Sequence, residues 1–452
     1  MNQERKSLGS FWALLPLILF IIIYFSSSLI IGDFYAVPVL VVFVISLFVA
    51  FLQYPKKSFS EKLHHFSKGS GDENILIMIL IFLLAGAFGE LSKSIGAISS
   101  TINFALTYVS PSFIISGLFL ISCFVSTSLG TSVGTIVSLA PIAVGFETYI
   151  PGVTALALAA VVGGSMFGDN LSFISDTTIA ATRTQNVGMR DKFKVNFAIV
   201  MPVAVLVFII YYFQGSSLVD NMNDMSIGSY DLVKIIPYVL VFVLALLGIQ
   251  VIWTLGIGIL SAFLIGILTG DITFLESVKA INTGFAGMFE LSLLCLIIGG
   301  VVGIIRFNGG IDYLLNTVLR NINSRKGAEL GIAILTALVN IALANNTITI
   351  VIVGPIAKDI SDRFALEGKR VASILDTVSC FVQGILPYGA QILAAIAATA
   401  LILDNGAVGS TTIGPFAIIQ YLYYPMLTGL ATLLFIIFRN QSGNHLKNEE
   451  YK

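Results

Sequence analysis

Long apolar blocks, separated by short polar segments, dominate the pattern along this chain. Most blocks reach about 20 residues, the length that an α-helix needs to cross the hydrocarbon core of a bilayer. The pattern therefore predicts an all-α polytopic membrane protein with roughly 12 transmembrane segments. We place the blocks near residues 11–31, 34–52, 75–92, 112–148, 152–182, 195–213, 231–249, 251–269, 286–305, 328–357, 371–402 and 413–438.

Composition supports the membrane class and argues against others. Of the 452 residues, 56% are hydrophobic and 11% are charged, whereas soluble domains carry about 25% charged residues. The formal net charge of −1 gives no electrostatic reason to expect a nucleic-acid partner. The lipid bilayer is the expected partner, and a homodimer is possible. Cys123, Cys295 and Cys380 lie far apart inside apolar blocks and show no metal-binding or disulfide spacing.

Lysine and arginine concentrate in three polar segments, 53–73, 183–194 and 306–328. By the positive-inside rule these segments face the cytoplasm. The segment 214–231 contains three aspartates and no lysine or arginine, so we expect it on the opposite side. Both termini are then cytoplasmic, and the protein is expected to be a multi-pass protein of the cell's inner (plasma) membrane.

An internal repeat divides the chain into two halves, which we place at residues 1–214 and 215–452. The pattern TIV followed by PIA begins at Thr135 and begins again at Thr349, and we call the offset between these two threonines the repeat shift. The predicted topology places corresponding loops on opposite sides of the membrane: 53–73 and 93–111 match 270–285 and 306–328. The halves are therefore predicted to be inverted-topology repeats, an arrangement that many secondary transporters use for alternating access.

Four apolar blocks are interrupted by glycine, proline or polar residues, two in each half and at corresponding positions. Irregular backbone at membrane depth is tolerated only where it is buried in protein or lines a wet cavity. The carbonyls freed by such breaks, with Asp, Asn, Ser and Thr oxygens, suit a hard cation such as Na⁺. Close packing of small residues is the alternative explanation, but the matched positions favour paired broken helices or re-entrant hairpins. The interruptions lie at 126–135, 163–178, 340–349 and 383–391.

Acidic residues inside the blocks narrow the site, because a charged and unpaired acid is costly at membrane depth. Asp169 and Asp176 share one interruption and are the predicted Na⁺ ligands. Asp376 is the other acid deep inside an apolar block, on a polar stripe with Ser379 and Gln383. The candidates for a substrate-binding or second ion site are Ser128, Thr131, Ser132, Asn340, Asn345, Asn346, Thr347, Asp376, Gln383 and Gln391.

The segment 163–178, which contains FGDNLSFISDTT, resembles the NhaC family of Na⁺/H⁺ antiporters, within the ion-transporter superfamily of inverted-repeat carriers. The phrase is long and rich in polar residues, and the length, helix count and paired breaks fit the family over nearly the whole chain. The resemblance implies that a cation site lies at or beside Asp169, Asn170, Ser172, Asp176 and Thr177. We include the adjoining Thr178 among these cation-binding candidates.

Together, these features favour a secondary active transporter, foremost a Na⁺/H⁺ antiporter. A buried carboxylate can hold a proton or Na⁺ but not both comfortably, so competition for one carboxylate gives exchange. Asp169 is the first candidate for that carboxylate, followed by Asp176 and then Asp376. Na⁺ and H⁺ would be the transported or coupling ions, and no other cofactor is expected.

A Na⁺-coupled transporter or exchanger of a small amino acid or carboxylic acid stays open as an alternative. A pure Na⁺/H⁺ antiporter has no obvious use for the neutral amides of Asn345, Asn346, Gln383 and Gln391. An intramembrane enzyme has little support, because no apolar block contains a histidine and no serine has an evident base partner.

Overall fold

The computed structural model describes residues 9–31, 38–173, 175–218, 228–319, 324–403 and 413–438, and these residues form helices and turns without any strand. In chain order the α-helices are α1 Leu15–Ile31, α2 Val39–Leu52, α3 Phe59–Ser70, α4 Glu73–Ser94, α5 Ala97–Tyr108, α6 Ile114–Leu129, α7 Ser132–Gly145, α8 Thr154–Leu171, α9 Asp176–Gln185, α10 Met189–Ser217, α11 Leu232–Leu246, α12 Val251–Thr269, α13 Phe274–Gly287, α14 Phe289–Phe307, α15 Gly310–Leu319, α16 Arg325–Leu343, α17 Asn346–Arg363, α18 Gly368–Ile385, α19 Ala390–Leu403, α20 Pro415–Ile419 and α21 Tyr423–Phe438.

The apolar blocks correspond to membrane-length helices. Within the described residues, eight spans are long and apolar enough to cross a membrane by length and composition, and five further apolar helices are shorter. The four interrupted blocks are each divided into two helices, namely α6 and α7, α8 and α9, α16 and α17, and α18 and α19. The predicted all-α polytopic fold with paired broken helices is thus confirmed, while the number of twelve crossings stays a prediction.

Several segments that the sequence assigned to loops are helical. Helices α3, α5, α13 and α15 lie largely within four of the predicted loops, and only residues 186–188 connect α9 to α10. These helices contain many polar residues, so a pattern of hydropathy does not predict them. Local capping explains two of them: Ser58 with Glu61, and Thr273 with Glu276, form capping boxes that satisfy the first backbone N–H groups of α3 and α13.

Helix boundaries recur along the chain at the spacing seen in the sequence repeat. The repeat shift carries the first residues of α8 and α9, Thr154 and Asp176, onto the first residues of α18 and α19, Gly368 and Ala390. Between α6 and α7, and between α16 and α17, the chain passes through one residue with left-handed φ, Gly130 at 70° or Ala344 at 50°. The local backbone of the breaks is therefore repeated along with the helices that flank them.

A hydrogen bond that links the first helix of each broken pair to its neighbour also recurs. Ser126 Oγ donates to the Ser165 carbonyl at 2.5 Å, joining α6 to α8. At the positions given by the repeat shift, Asn340 Nδ2 donates to the Ser379 carbonyl at 2.7 Å, joining α16 to α18. These helix boundaries and this interhelical contact therefore recur at the repeat shift, even though the side chains differ.

The segment α3–α4 packs against its own repeat counterpart, α13–α14, at two glycine crossings. A Cβ added to Gly69 would lie 2.2 Å from the Gly299 carbonyl oxygen, and one added to Gly86 would lie 2.3 Å from the Gly284 carbonyl oxygen. Gly69 precedes Gly86 in the chain, whereas its partner Gly299 follows Gly284. The two segments therefore run antiparallel. The repeat shift carries Gly69 and Gly86 to within one residue of Gly284 and Gly299, so the two crossings occupy equivalent positions.

The antiparallel packing predicts that equivalent positions lie on opposite faces of the membrane. His64 on α3 and Lys279 on α13 are exposed and are separated by the repeat shift, within one residue. With the three native cysteines replaced, His64→Cys should react with a membrane-impermeant maleimide from one side only and Lys279→Cys from the other. Labelling of intact cells and inverted vesicles measures this, and modification of both sites from the same side would contradict an inverted repeat.

The glycine crossings also predict a packing sensitivity. Gly86→Ala should lower the free energy of unfolding by about 1–3 kcal/mol, because the methyl group would overlap the Gly284 carbonyl. Gly117→Ala on α6 is the matched control, since no heavy atom lies within 4 Å of its added Cβ. Thermal unfolding in detergent compares the two variants, and equal midpoints would contradict the close approach.

Candidate functional site

All four helix breaks line one small cavity in the helical bundle. Its volume is about 110 Å³, enough for a few water molecules, each of which occupies about 30 Å³ in the liquid. A cavity of this size suits a partly hydrated monovalent cation or a small polar group. The polar residues that line it are Thr131, Ser132, Asp169, Asp176, Thr177, Asn345, Asn346, Thr347, Gln383 and Gln391.

Asp169 is the buried acid of this cavity, with 4% of its surface exposed near the end of α8. Ser132 Oγ donates to its Oδ2 at 3.1 Å, and Ser175 Oγ donates to its Oδ1. Ser175 Oγ also lies 2.8 Å from Thr177 Oγ1. Asp169 therefore joins α7 to the break between α8 and α9, and hydroxyl groups hold its two oxygens in place.

A chain of neutral amides continues from Asp169 into the second half. Gln391 Nε2 donates to Ser132 Oγ at 3.1 Å, and Gln383 Nε2 donates to Gln391 Oε1 at 3.1 Å. The same Gln383 amide donates to the Ala344 carbonyl at 2.9 Å, in the break between α16 and α17. Side chains from both halves thus form one hydrogen-bonded network around the cavity.

Helix ends meet at this cavity with defined polarity. Thr131 and Asn345 are the N-caps of α7 and α17, and their side chains accept from the backbone N–H groups of Gly134 and Ile348 at 3.4 and 2.9 Å. Helix N-termini favour negative charge, whereas the carbonyls at the ends of α6, α8, α16 and α18 favour a cation. The arrangement can therefore accept a cation beside Asp169 and an anionic group beside the N-termini.

Behind the cavity lies a buried ion pair between Lys192 on α10 and Asp376 on α18. Lys192 Nζ is 2.7 Å from Asp376 Oδ2, and the two side chains are 1% and 0% exposed. Lys192 also donates to the Asn170 carbonyl at 2.9 Å and to Thr178 Oγ1 at 2.7 Å. Asn196 Nδ2 donates to the same Asn170 carbonyl and to Asp376 Oδ2, at 2.9 and 2.6 Å.

The predicted site residues thus divide into two groups. Asp169, Asp176 and Thr177, among the cation candidates, line the cavity together with most candidates of the second set. Lys192 of the ion pair donates to the carbonyl of Asn170, the residue that follows Asp169. The residues not among those lining the cavity are Asn170, Ser172 and Thr178 near the α8–α9 break, Asp376 on α18, Ser128 on α6 and Asn340 on α16.

Two residues of this region, Lys192 and Asn196, were not singled out by the sequence. The predicted loop 183–194 included Lys192, and the placement of this residue in a loop is wrong, because α10 begins at Met189 and buries this lysine. A recognisable signal was present, because Lys192 and Asn196 are about one helical turn apart and share a face of a helix. Hydropathy treats such a lysine as the end of a span.

The described residues contain no group of three or more His, Cys, Asp or Glu side chains placed to hold a metal ion. The cavity instead offers the carboxylates of Asp169 and Asp176 together with hydroxyl, amide and carbonyl oxygens, which are the ligands that hard cations prefer. Oxygen ligands of this kind can coordinate a hard cation, and a carboxylate among them can instead take up a proton.

Broken helices that meet inside the bundle are how many secondary transporters build their ion and substrate sites. This multi-pass chain has that construction, so its fold and site define a secondary transporter. A family profile described as "Na+/H+ antiporter family" matches residues 6–216 and 222–439. The chain belongs to this Na⁺/H⁺ antiporter family, and the resemblance expected from its polar motif is confirmed.

Individual relatives have different stated activities. The chain is 24% identical over 354 residues to the Na⁺/H⁺ antiporter NhaC of Bacillus subtilis strain 168. The aligned region covers 71% of this chain and 76% of that protein. It is 24% identical over 437 residues to the malate-2H⁺/Na⁺-lactate antiporter of the same organism, covering 90% of both. It is 23% identical over 345 residues to the arginine/ornithine antiporter ArcD of Halobacterium salinarum, covering 70% of both.

The Lys192–Asp376 pair predicts a non-additive stability effect. Lys192→Gln or Asp376→Asn alone leaves a buried charge unpaired and should cost about 3–5 kcal/mol of unfolding free energy. The double variant removes both charges and keeps hydrogen-bonding amides, so its loss should be smaller than the sum of the two. A double-mutant cycle by thermal unfolding measures the coupling, and additive losses would contradict a direct pair.

Proposed function

We propose that this protein exchanges Na⁺ for H⁺ at Asp169 by alternating access. The observation that carries the proposal is the buried Asp169 carboxylate in a cavity lined by all four helix breaks. Burial makes the charged carboxylate costly unless a cation or a proton neutralises it. If the carrier changes conformation only with Asp169 neutralised, Na⁺ and H⁺ must travel in opposite directions. Asp176, at the start of α9, is the second acid on this cavity.

The repeat supplies the conformational change in this proposal. Halves at residues 1–214 and 215–452 would cross the membrane in opposite orientations and exchange conformations around Asp169. The antiparallel contact between α3–α4 and α13–α14 supports that division. We place the protein in the plasma membrane, with both termini and the segment 53–73 on the cytoplasmic side. Lys57 there contacts the Phe307 carbonyl at 2.9 Å, so the ends of α2 and α14 lie on one side.

A second candidate function is Na⁺-coupled transport or exchange of a small amino or carboxylic acid. The observation that favours it is the amide chain of Gln383 and Gln391, which lies in the same cavity as Asp169. Amides can donate to a carboxylate and accept from an ammonium group, which a bare ion does not require. Two relatives with organic substrates in their names are consistent with this candidate.

The proposal predicts that Asp169→Asn abolishes Na⁺-driven proton movement, because asparagine cannot exchange a proton for a cation. The measurement is the internal pH change of proteoliposomes after a Na⁺ gradient is imposed. Asp359→Asn is the matched control, since Asp359 is exposed on α17 and does not line the cavity. Control activity should stay within about twofold of the parent chain, as expected for a surface change of under about 0.5 kcal/mol.

Unchanged thermal unfolding of Asp169→Asn would show that loss of exchange is not loss of fold. Near-normal exchange by that variant would exclude Asp169 as the exchanging carboxylate. Exchange that requires an added organic acid in the parent chain would favour the second candidate over simple Na⁺/H⁺ antiport.

A further inference from the structure

A second and larger cavity, of about 440 Å³, lies beside the Asp169 cavity. Helices α3 and α14 form one wall, and the break between α16 and α17 lies at its inner end. Pockets that enclose small organic ligands range from about 300 to 1,000 Å³. This cavity is larger than an ion with a few waters requires, and its volume therefore distinguishes it from the smaller Asp169 cavity.

Basic side chains dominate the outer part of this cavity. Lys68 and Arg306 line it together with His65, against the single acid Asp72. Burial and the nearby positive groups lower the pKa of His65, so the positive charge here comes from Lys68 and Arg306. Lys68 and Arg306 are exposed, and neither forms an ion pair with another residue in the part of the chain that the structure describes. Lys57 adds a further positive charge nearby, with Nζ 3.8 Å from the centroid of the lining residue Phe307.

This charge pattern suits an anion and opposes a free cation. Rings of lysine and arginine select anions in membrane pores, and like charges at a cleft mouth lower the local concentration of a cation. Arginine also matches the geometry of a carboxylate, to which it can donate two parallel hydrogen bonds. The apolar walls contributed by Ile298, Val302 and Leu343 suit the carbon skeleton of an organic acid.

The two cavities are neighbours that share part of their lining. Met78, Ala344, Asn345 and Ala390 border both of them. A solute in the larger cavity therefore reaches Asn345 and the N-terminal end of α17, where a negative group is favoured. At that position only the shared lining residues lie between the solute and the cavity that contains the Asp169 carboxylate.

We propose that the larger cavity is a binding site for a small organic carboxylate, held by Arg306 and Lys68 at its mouth and by Asn345 at its inner end. The inference deepens the transport function proposed above, because it names an anionic solute that shares the pathway with the cation. Binding at this site does not depend on which ion Asp169 exchanges.

The test is equilibrium binding to the purified full-length chain, measured as thermal stabilisation in detergent with NaCl present. The probes are L-lactate, L-malate and L-alanine, with lactamide and malamide as uncharged analogues of the first two. At least one carboxylate should stabilise the chain saturably, and its amide analogue should not. Arg306→Gln should weaken the apparent affinity at least tenfold, Arg306→Lys should recover part of it, and Lys358→Gln on α17 should change it by less than twofold.

Added phosphatidylglycerol separates a free solute from a lipid headgroup as the occupant. Stabilisation by this lipid but by none of the carboxylates would overturn the proposal, as would carboxylate binding that Arg306→Gln leaves intact. The outcome is distinguishable from failure of the transport proposal. A chain that exchanges Na⁺ for H⁺ but binds no carboxylate would overturn this inference alone, and a chain that binds carboxylate without exchange would overturn the antiport proposal alone.

Discussion

A helix that breaks inside a membrane must satisfy the backbone groups that the break sets free, and much of this structure follows from that constraint. No water in the hydrocarbon region can replace a lost intrahelical hydrogen bond. Here the breaks are placed together, so that the side chains of one satisfy the backbone of another. Gln383 on α18 binds the Ala344 carbonyl between α16 and α17, and Lys192 and Asn196 on α10 bind the Asn170 carbonyl at the end of α8. A polar cavity is the space left where these ends converge.

The Lys192–Asp376 pair extends this constraint from backbone to charge. Removing both ions from water costs several kcal/mol each, so the pair persists only because the contact is short and each member has a further partner: Thr178 Oγ1 accepts from Lys192, and Asn196 donates to Asp376. Its members come from α10 and α18, on opposite sides of the proposed boundary between repeats. It therefore fixes the end of α8, which carries Asp169, against a helix of the second half. The surface pair of Lys358 with Asp362 has no comparable effect, since its members are 34% and 63% exposed.

Much of the fold was predictable from the sequence because lipid imposes simple rules of length and hydropathy. The same rules failed where polarity and helix formation coexist: α3 and α13 are helices held by capping boxes and glycine contacts, which hydropathy does not detect. The candidate site was visible as matched interruptions, and the structure brings Asp169, Ser132 and Gln391 together from three distant segments. The partner of Asp376 was not predictable in the same way, because a pair between helices in different halves of the chain depends on tertiary packing. The larger cavity is likewise a product of packing, with no motif of its own.

The repeat shift places Asp169 and Gln383 at equivalent positions, and it does the same for Ser132 and Asn346. The backbone around them is repeated, while the side chains are an acid in one half and an amide in the other. If the two halves exchange conformations as proposed, the two glycine crossings must stay equivalent, whereas the side chains that line the cavity are free to differ. A few point substitutions among the lining side chains could then change the transported solute while the helix packing stays the same. One fold can in this way serve different substrates.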